Sequence, residues 1–136
     1  MIADTSFLID VMRSNNAAVQ KVAALEKEGI QVSLTTVSIF ELHVGLNLSS
    51  SRVKEGKKIE RVLENLLIFP LDFESAKEAG DIYAEKKRRG LTIDPEDAMI
   101  AGICRVTNEP LLTRNINHFS GIERITLESY CCTCPK

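Results

Sequence analysis

The sequence lacks the features that mark membrane proteins, secreted proteins and nucleic-acid coat proteins. No apolar run approaches the roughly 20 residues needed to span a bilayer. The N-terminus shows no basic stretch followed by an apolar stretch, which is the pattern of a secretory signal. Seventeen Lys and Arg residues against 19 Asp and Glu residues leave a formal net charge of −2, whereas a dedicated nucleic-acid coat protein is usually basic. We therefore expect a cytoplasmic protein.

Internal repeats, low-complexity segments and domain linkers are also absent, so the chain is expected to form one domain. Its 136 residues, 44% apolar and 26% charged, suffice for a hydrophobic core. Three of the four cysteines, Cys131, Cys132 and Cys134, lie in the last six residues. They could bind a soft metal or form disulfides between chains, but we favour a terminal tail without a role in the fold. The expected organisation is a domain over residues 1–130 and a Cys-rich tail over residues 131–136.

Apolar runs alternate with amphipathic segments along the chain. The short apolar runs predict strands, and apolar residues at helical spacing predict helices between them. Because parallel strands need helical crossovers, this alternation predicts a three-layer α/β/α fold with a central, mainly parallel sheet of about five strands. The predicted strands cover residues 1–4, 31–34, 67–71, 111–113 and 124–127, and the predicted helices cover residues 5–13, 15–28, 36–48, 52–66, 73–89, 94–107 and 115–119.

Four polar side chains follow apolar runs directly. They are Asp4, Glu41, Asp97 and Asn115. Parallel strands deliver their C-terminal ends to one edge of a sheet, so residues distant in sequence can converge there. Clustered carboxylates raise one another's pKa, and a divalent cation removes that cost. Because these candidate ligands offer only oxygen atoms, the expected ion is Mg²⁺, with Mn²⁺ as the alternative.

These polar residues also have a structural explanation as helix caps. Asp after a strand commonly caps the following helix, which fits Asp4. The segment from Ser38 to Glu41 fits a capping box, in which Glu41 would reach back to the start of its own helix. Asp94 can cap the helix that follows it. A cap needs only one oxygen acceptor, however, and Ser or Thr would suffice, so carboxylates at three separate places favour a metal site.

Taken together, four segments of the chain resemble a known family. The pattern runs from Ile2 to about Leu127 and is similar to the PIN domain, in particular to the VapC-type ribonuclease toxins of prokaryotic toxin–antitoxin pairs. The segments that carry the resemblance are Ile2-Ala3-Asp4-Thr5-Ser6, Ser38-Ile39-Phe40-Glu41-Leu42, Asp94-Pro95-Glu96-Asp97-Ala98-Met99-Ile100-Ala101 and Leu112-Thr113-Arg114-Asn115-Ile116-Asn117-His118-Phe119.

The resemblance implies a metal-dependent endoribonuclease that hydrolyses RNA phosphodiester bonds. It assigns Asp4, Glu41 and Asp97 as catalytic, metal-binding acids. Asn115 falls where the family carries a fourth polar residue, often Asp, so it completes the expected catalytic set as a neutral group. The resemblance further implies an RNA substrate, an antitoxin protein as partner and a homodimer.

The remaining candidates are supporting residues. Arg114 is the nearest basic candidate for a substrate phosphate, with a surface ion pair as its alternative. The basic residues 86–89 could line an approach groove or form a solvated helix end. His118 is expected to pack and hydrogen-bond in its turn rather than act as a base. With the small polar residues that the resemblance places around the acids, the supporting set is Thr5, Ser6, Asp94, Thr113 and Arg114.

Three other functions stay open on the sequence. The first is an RNA-processing nuclease that shares the chemistry but has no antitoxin. The second is a receiver-type phosphoacceptor domain, which needs paired acids at the end of the first strand, whereas only Asp4 stands there, followed by Thr5 and Ser6. The third is a non-catalytic binding domain that retains the acids without their activity.

Overall fold

The computed structural model describes residues 1–130 and confirms the predicted α/β/α architecture with a five-stranded parallel sheet. The predicted tail over residues 131–136 lies outside this part of the chain. Within it, no helix is both long and apolar enough to cross a membrane. In chain order the elements are β1 (Ile2–Ala3), α1 (Thr5–Met12), α2 (Asn16–Lys27), β2 (Ser33–Thr35), α3 (Thr36–Leu48), α4 (Arg52–Leu63), β3 (Leu67–Phe69), α5 (Phe73–Arg88), α6 (Pro95–Thr107), β4 (Leu111–Leu112), α7 (Ile116–Phe119) and β5 (Leu127–Glu128).

The strand order β3-β2-β1-β4-β5 places β1 at the centre of the sheet. All neighbouring strands are parallel, and Ile2 of β1 pairs with Ser33 on one side and with Leu111 on the other. The chain first extends the sheet through β2 and β3, then crosses back over α5 and α6 to insert β4. The point where the direction of winding changes therefore lies between β1 and β4. In open α/β sheets, ligands bind at the carboxyl ends of the strands beside such a point.

The two faces of the sheet bury separate halves of the core. Ile2 packs in the half that contains α5 and α6, whereas its neighbour Ala3 packs in the half that contains α1, α2 and α4. Leu111 and Leu112 of β4 divide between the halves in the same way. Successive residues of a strand face opposite sides, so a sheet covered on both faces favours apolar residues at every position. Strands β1 and β4 appear in the sequence as apolar runs for this reason, whereas β2 buries Ser33 and Thr35 on either side of Leu34.

A glycine allows α5 and α6 to pack closely. A Cβ atom built on Gly102 of α6 would lie 2.6 Å from the carbonyl oxygen of Ser75 and 2.8 Å from the amide nitrogen of Ala79, both on α5. Any larger residue at position 102 would therefore push the two helices apart. Because Asp97 lies in the first turn of α6, this contact also helps to set the place of one candidate site residue.

The differences between predicted and observed elements lie at their ends. The second strand runs over Ser33–Thr35 rather than 31–34. The last strand runs over Leu127–Glu128 rather than 124–127, because Arg124 has a φ of 63°, in the left-handed region that a strand does not adopt.

The capping-box interpretation of Glu41 was wrong. Helix α3 begins two residues before Ser38, at Thr36, and the Thr35 side chain caps it by accepting a hydrogen bond from the Ser38 amide at 3.2 Å. Glu41 therefore lies beyond the first turn, where no free backbone N–H is available, and its carboxylate is directed to another partner.

Candidate active site

Asp4 anchors the candidate site at the end of the central strand. It is the N-cap of α1, and its Oδ1 accepts hydrogen bonds from the Phe7 amide at 3.0 Å and the Ser6 hydroxyl at 2.8 Å. Its Oδ2 accepts a bond of 2.5 Å from the hydroxyl of Thr113, which follows β4. The capping and metal-site interpretations are therefore compatible, because an oxygen atom accepts two bonds and Oδ2 has one position left.

Thr5 holds Glu41 toward the same edge of the sheet. The Thr5 hydroxyl lies 2.8 Å from Oε1 of Glu41 and 2.9 Å from the Ser38 hydroxyl. A hydroxyl carries one proton, and the carboxylate is the stronger acceptor, so Thr5 donates to Glu41 and accepts from Ser38. Residues adjacent in sequence, Asp4 and Thr5, thus contribute one candidate ligand and the orienting group of a second.

Asp97 approaches the cluster from the first turn of α6. Its pKa is raised to about 6, chiefly by burial; His118 lowers it, and the charges of Asp94, Asp4 and Glu96 contribute to the rise. Nδ1 of His118 lies 3.6 Å from Oδ2 of Asp97. The prediction that the His118 side chain packs in its turn was wrong, because the ring is exposed and faces this carboxylate.

The electrostatics show that the three acids share one environment. Burial raises the pKa of Glu41, the Thr5 hydrogen bond lowers it, and the charges of Asp97, Glu96 and Asp4 raise it further. Such carboxylates are destabilised by one another when ionised, and a divalent cation relieves that repulsion. By the chemistry of its donors, an all-oxygen set with excess negative charge, the cluster fits Mg²⁺ or Mn²⁺.

The distances between the acids do not by themselves establish a metal site. Across residues 1–130, no group of three or more His, Cys, Asp or Glu side chains lies close enough in this conformation to hold one ion. Joint ligation of an ion by Asp4, Glu41 and Asp97 therefore stays a prediction.

Asn115 and Asp94 lie at the rim of the cluster. The Asn115 amide donates to the Thr113 hydroxyl at 2.9 Å, and its side-chain Nδ2 lies 3.5 Å from the Ser6 hydroxyl. Both Asn115 and Asp94 occupy helix N-cap positions, but neither side chain makes a capping hydrogen bond. Their side chains are therefore free of the structural role that the sequence allowed for them.

The basic candidates occupy distinct places. Arg114 forms an ion pair with Asp10, 3.0 Å from Oδ2. Lys86 is buried and does not face solvent. Its Nζ donates a hydrogen bond to the carbonyl oxygen of Ser120 at 2.6 Å and so anchors the loop after α7. Arg89 donates to the same loop. Arg88 and Lys87 remain exposed at the end of α5.

Sequence reasoning missed three residues that the structure brings to this region. Glu96 raises the pKa of both Glu41 and Asp97, and its place one residue before Asp97 was a signal for it. Asp10 and Tyr130 contact each other across 120 residues of sequence. No local pattern indicates that contact.

The family model for the PIN domain matches residues 1–124 of the chain. The chain is 28% identical over 130 residues to ribonuclease VapC1 of Methanocaldococcus jannaschii, covering 96% of this chain and 86% of that protein. It is 27% identical over 101 residues to the tRNA(fMet)-specific endonuclease VapC of Salmonella typhimurium, covering 74% of this chain and 76% of that protein.

A solved structure shares the fold. The crystal structure of VapBC2 from Rickettsia felis, bound to a DNA fragment from its promoter, contains a chain that matches with a TM-score of 0.86 at 22% identity, covering 94% of this chain and 96% of that one. At this identity the likeness establishes the fold alone.

Proposed function

Because the chain belongs to the PIN-domain family, we propose that it is a metal-dependent endoribonuclease. The observation that carries the proposal is electrostatic: the charges of Asp4 and Asp97 raise the pKa of Glu41, and the charge of Asp4 raises the pKa of Asp97. The acids themselves do not select RNA over DNA. That part of the proposal is supported by the similar proteins, which are named as a ribonuclease and a tRNA-specific endonuclease.

In the proposed reaction, Asp4 and Asp97 would hold the ion, and Glu41 would join them directly or through a water molecule. Mg²⁺, when bound, lowers the pKa of a water molecule and neutralises charge that develops on the phosphoryl oxygens. Thr113 and Thr5 donate hydrogen bonds to Asp4 and Glu41, and so orient both carboxylates before an ion arrives. Mn²⁺ suits the same ligands.

We extend the proposal to the toxin of a toxin–antitoxin pair, since similar solved structures are described as VapBC2 bound to promoter DNA and as a toxin–antitoxin complex. A groove of about 350 Å³ between α1, α3 and α4, lined by both apolar and charged side chains, reaches Glu41, so an antitoxin segment seated there would lie beside the site. Helix α3 also carries exposed Phe40, Val44 and Leu48, with Leu48 83% exposed. The apolar residues that line the groove are Ile9, Met12, Leu42, Leu46 and Ile59.

A homodimer completes the proposal. Apolar side chains as exposed as Leu48 and Val53 favour burial against another protein surface. Light scattering should give about twice the 15.1 kDa mass of one chain. A monomer mass maintained across a concentration series would contradict the dimer.

Cleavage of RNA by the purified protein tests the proposed activity. The parent should cut single-stranded and structured RNAs with Mg²⁺ or Mn²⁺ and should lose this activity in EDTA. Asp4→Asn and Asp97→Asn should lower the rate by about 100-fold or more, because each removes a charged ligand of the ion. Asp81→Asn, an exposed acid on α5, is the matched control and should cut as the parent does. Equal cutting by Asp97→Asn and the parent would refute the assignment.

A further inference from the structure

Asp10, Arg114 and Tyr130 form a hydrogen-bonded chain that leads from the interior to the surface. The Asp10 carboxylate, on α1, is only 7% exposed. The Tyr130 hydroxyl donates to its Oδ2 at 2.5 Å, and Nη1 of Arg114 lies 3.2 Å from Oδ1 and 3.0 Å from Oδ2. The Tyr130 ring packs edge-on against Phe7, with the ring centres 4.8 Å apart. The Asp10 carboxylate is therefore restrained by the hydroxyl of Tyr130, whose ring is fixed by its packing against Phe7.

Arg114 differs from an arginine that serves only the fold. Arg105 is 10% exposed and uses three nitrogens, Nε and Nη2 toward the Glu123 carbonyl and Nη1 toward Glu78. Arg114 is 47% exposed, and among residues 1–130 only its Nη1 has a partner. A guanidinium carries five N–H donors. Within the described part of the chain, Nε and Nη2 of Arg114 thus have no partner, while Nη1 fixes the group.

The location of Arg114 is defined by its two neighbours. Thr113 donates to Asp4, and Asn115 reaches the Ser6 hydroxyl. Ser6 and Asp10 are four residues apart on α1 and so lie on the same face, roughly 6 Å apart along the axis. The guanidinium thus stands about one helical turn from the residues that surround Asp4.

We propose that Arg114 binds a substrate phosphate beside the carboxylate cluster, and that Asp10 and Tyr130 are the positioning residues that hold its guanidinium there. This inference rests on the proposed nuclease function. RNA approaching three carboxylates meets repulsion, and a cation at the rim offsets it. A guanidinium suits that task because its planar fork matches two phosphate oxygens.

Tyr130 is suited to its role because it remains a donor. Burial and the hydrogen bond to Asp10 raise the pKa of Tyr130 above its ordinary value, so its hydroxyl stays protonated at physiological pH. Removal of that hydroxyl leaves the charges of Asp10 and Arg114 intact and removes only the restraint on the carboxylate. Tyr130→Phe therefore separates positioning from charge.

Steady-state cleavage of a single-stranded RNA oligonucleotide with Mg²⁺ tests the inference. Arg114→Met should raise KM by about 10- to 100-fold and leave kcat within about threefold, because a phosphate contact made equally in the ground and transition states acts on binding. Arg114→Lys should recover part of the loss, since it keeps the charge without the fork. Arg124→Met is the matched control, an exposed arginine ion-paired with Glu78, and should behave as the parent.

Salt dependence supplies a readout that a purely structural residue would not change. The slope of log kcat/KM against log salt concentration should fall by about 0.7 in Arg114→Met, the value for one phosphate contact to a single strand. Tyr130→Phe should raise KM about threefold in the parent and should have no further effect on KM in Arg114→Met. If Tyr130→Phe does not fold, Asp10→Asn should show the same dependence on Arg114.

The outcomes distinguish the inference from the function on which it rests. A parent protein that cuts no RNA refutes the nuclease, and the inference with it. An active parent whose Arg114→Met variant matches Arg124→Met in KM and salt slope overturns the phosphate role alone. Equal effects of Tyr130→Phe with and without Arg114 overturn the positioning role.

Discussion

Asp97 bears an unfavourable charge in the metal-free protein. Its pKa is about 6 in the fold and about 3.8 as an isolated side chain, so the folded state binds a proton more tightly than the unfolded state. The stability from this group is fully present below about pH 4 and is lost as the pH rises through 6. The cost at neutral pH is at most about 3 kcal/mol.

This linkage predicts that Asp97→Asn stabilises the metal-free protein. At pH 7.5 in EDTA, the free energy of unfolding should rise by about 1–3 kcal/mol, and at pH 4 it should change little because Asp97 is then protonated. Mg²⁺ should raise the melting temperature of the parent at pH 7.5, less at pH 5, and not in Asp97→Asn. Chemical and thermal denaturation provide the measurements, with Asp81→Asn as the control. A variant that is less stable than the parent at pH 7.5 in EDTA would contradict the prediction.

Single residues of the candidate site also show which features could be predicted from the sequence and which could not. The position of Asp4 could be predicted, because it directly follows the central strand, whereas Glu41 and Asp97 lie on helices α3 and α6 and reach the same region through the packing of those helices. Their roles as ligands stay predictions. The bond from Thr5 to Glu41 and the bond from Tyr130 to Asp10 join distant parts of the chain. Such contacts depend on how helices rotate about their axes, and no local pattern in one sequence specifies that.

Helices α5 and α6 illustrate the same limit at the scale of whole elements. Both could be predicted, because basic residues before Gly90 mark the end of one and Asp94-Pro95 marks the start of the other. The distance between the two helices could not be predicted, because it depends on the contact of Gly102 with the backbone of α5 at Ser75 and Ala79. The last strand was misplaced for a related reason, since the left-handed backbone of Arg124 has no signal in its side chain.

The contact between these helices predicts opposite effects for two glycine substitutions. Gly102→Ala should lower the free energy of unfolding by about 1–3 kcal/mol, because its Cβ would press on backbone atoms that cannot turn aside. Gly80→Ala, on the open side of α5 with no atom within 4 Å of its Cβ, should raise it by about 0.5–1 kcal/mol. Urea denaturation of both variants measures the difference. Equal shifts in one direction would show that helix propensity alone decides.

The toxin proposal concerns the whole molecule, and growth of bacteria that express the protein tests it. Expression of the parent should arrest bacterial growth, and co-expression of the protein encoded beside it should relieve the arrest. Asp97→Asn should permit growth when expressed to the same level, because the arrest is proposed to follow from RNA cleavage. Normal growth with active parent protein would favour an RNA-processing nuclease. An arrest that persists in Asp97→Asn would separate toxicity from the site.

The insertion of β4 beside β1 determines when the candidate site is completed during synthesis of the chain. Asp4 is among the first residues to leave the ribosome, but its partner Thr113 follows 109 residues later. Asp97 and the strand that completes the centre of the sheet also emerge late. A nascent chain therefore holds only part of the acidic cluster, so under the proposed function an incomplete translation product would lack the site that cleaves RNA.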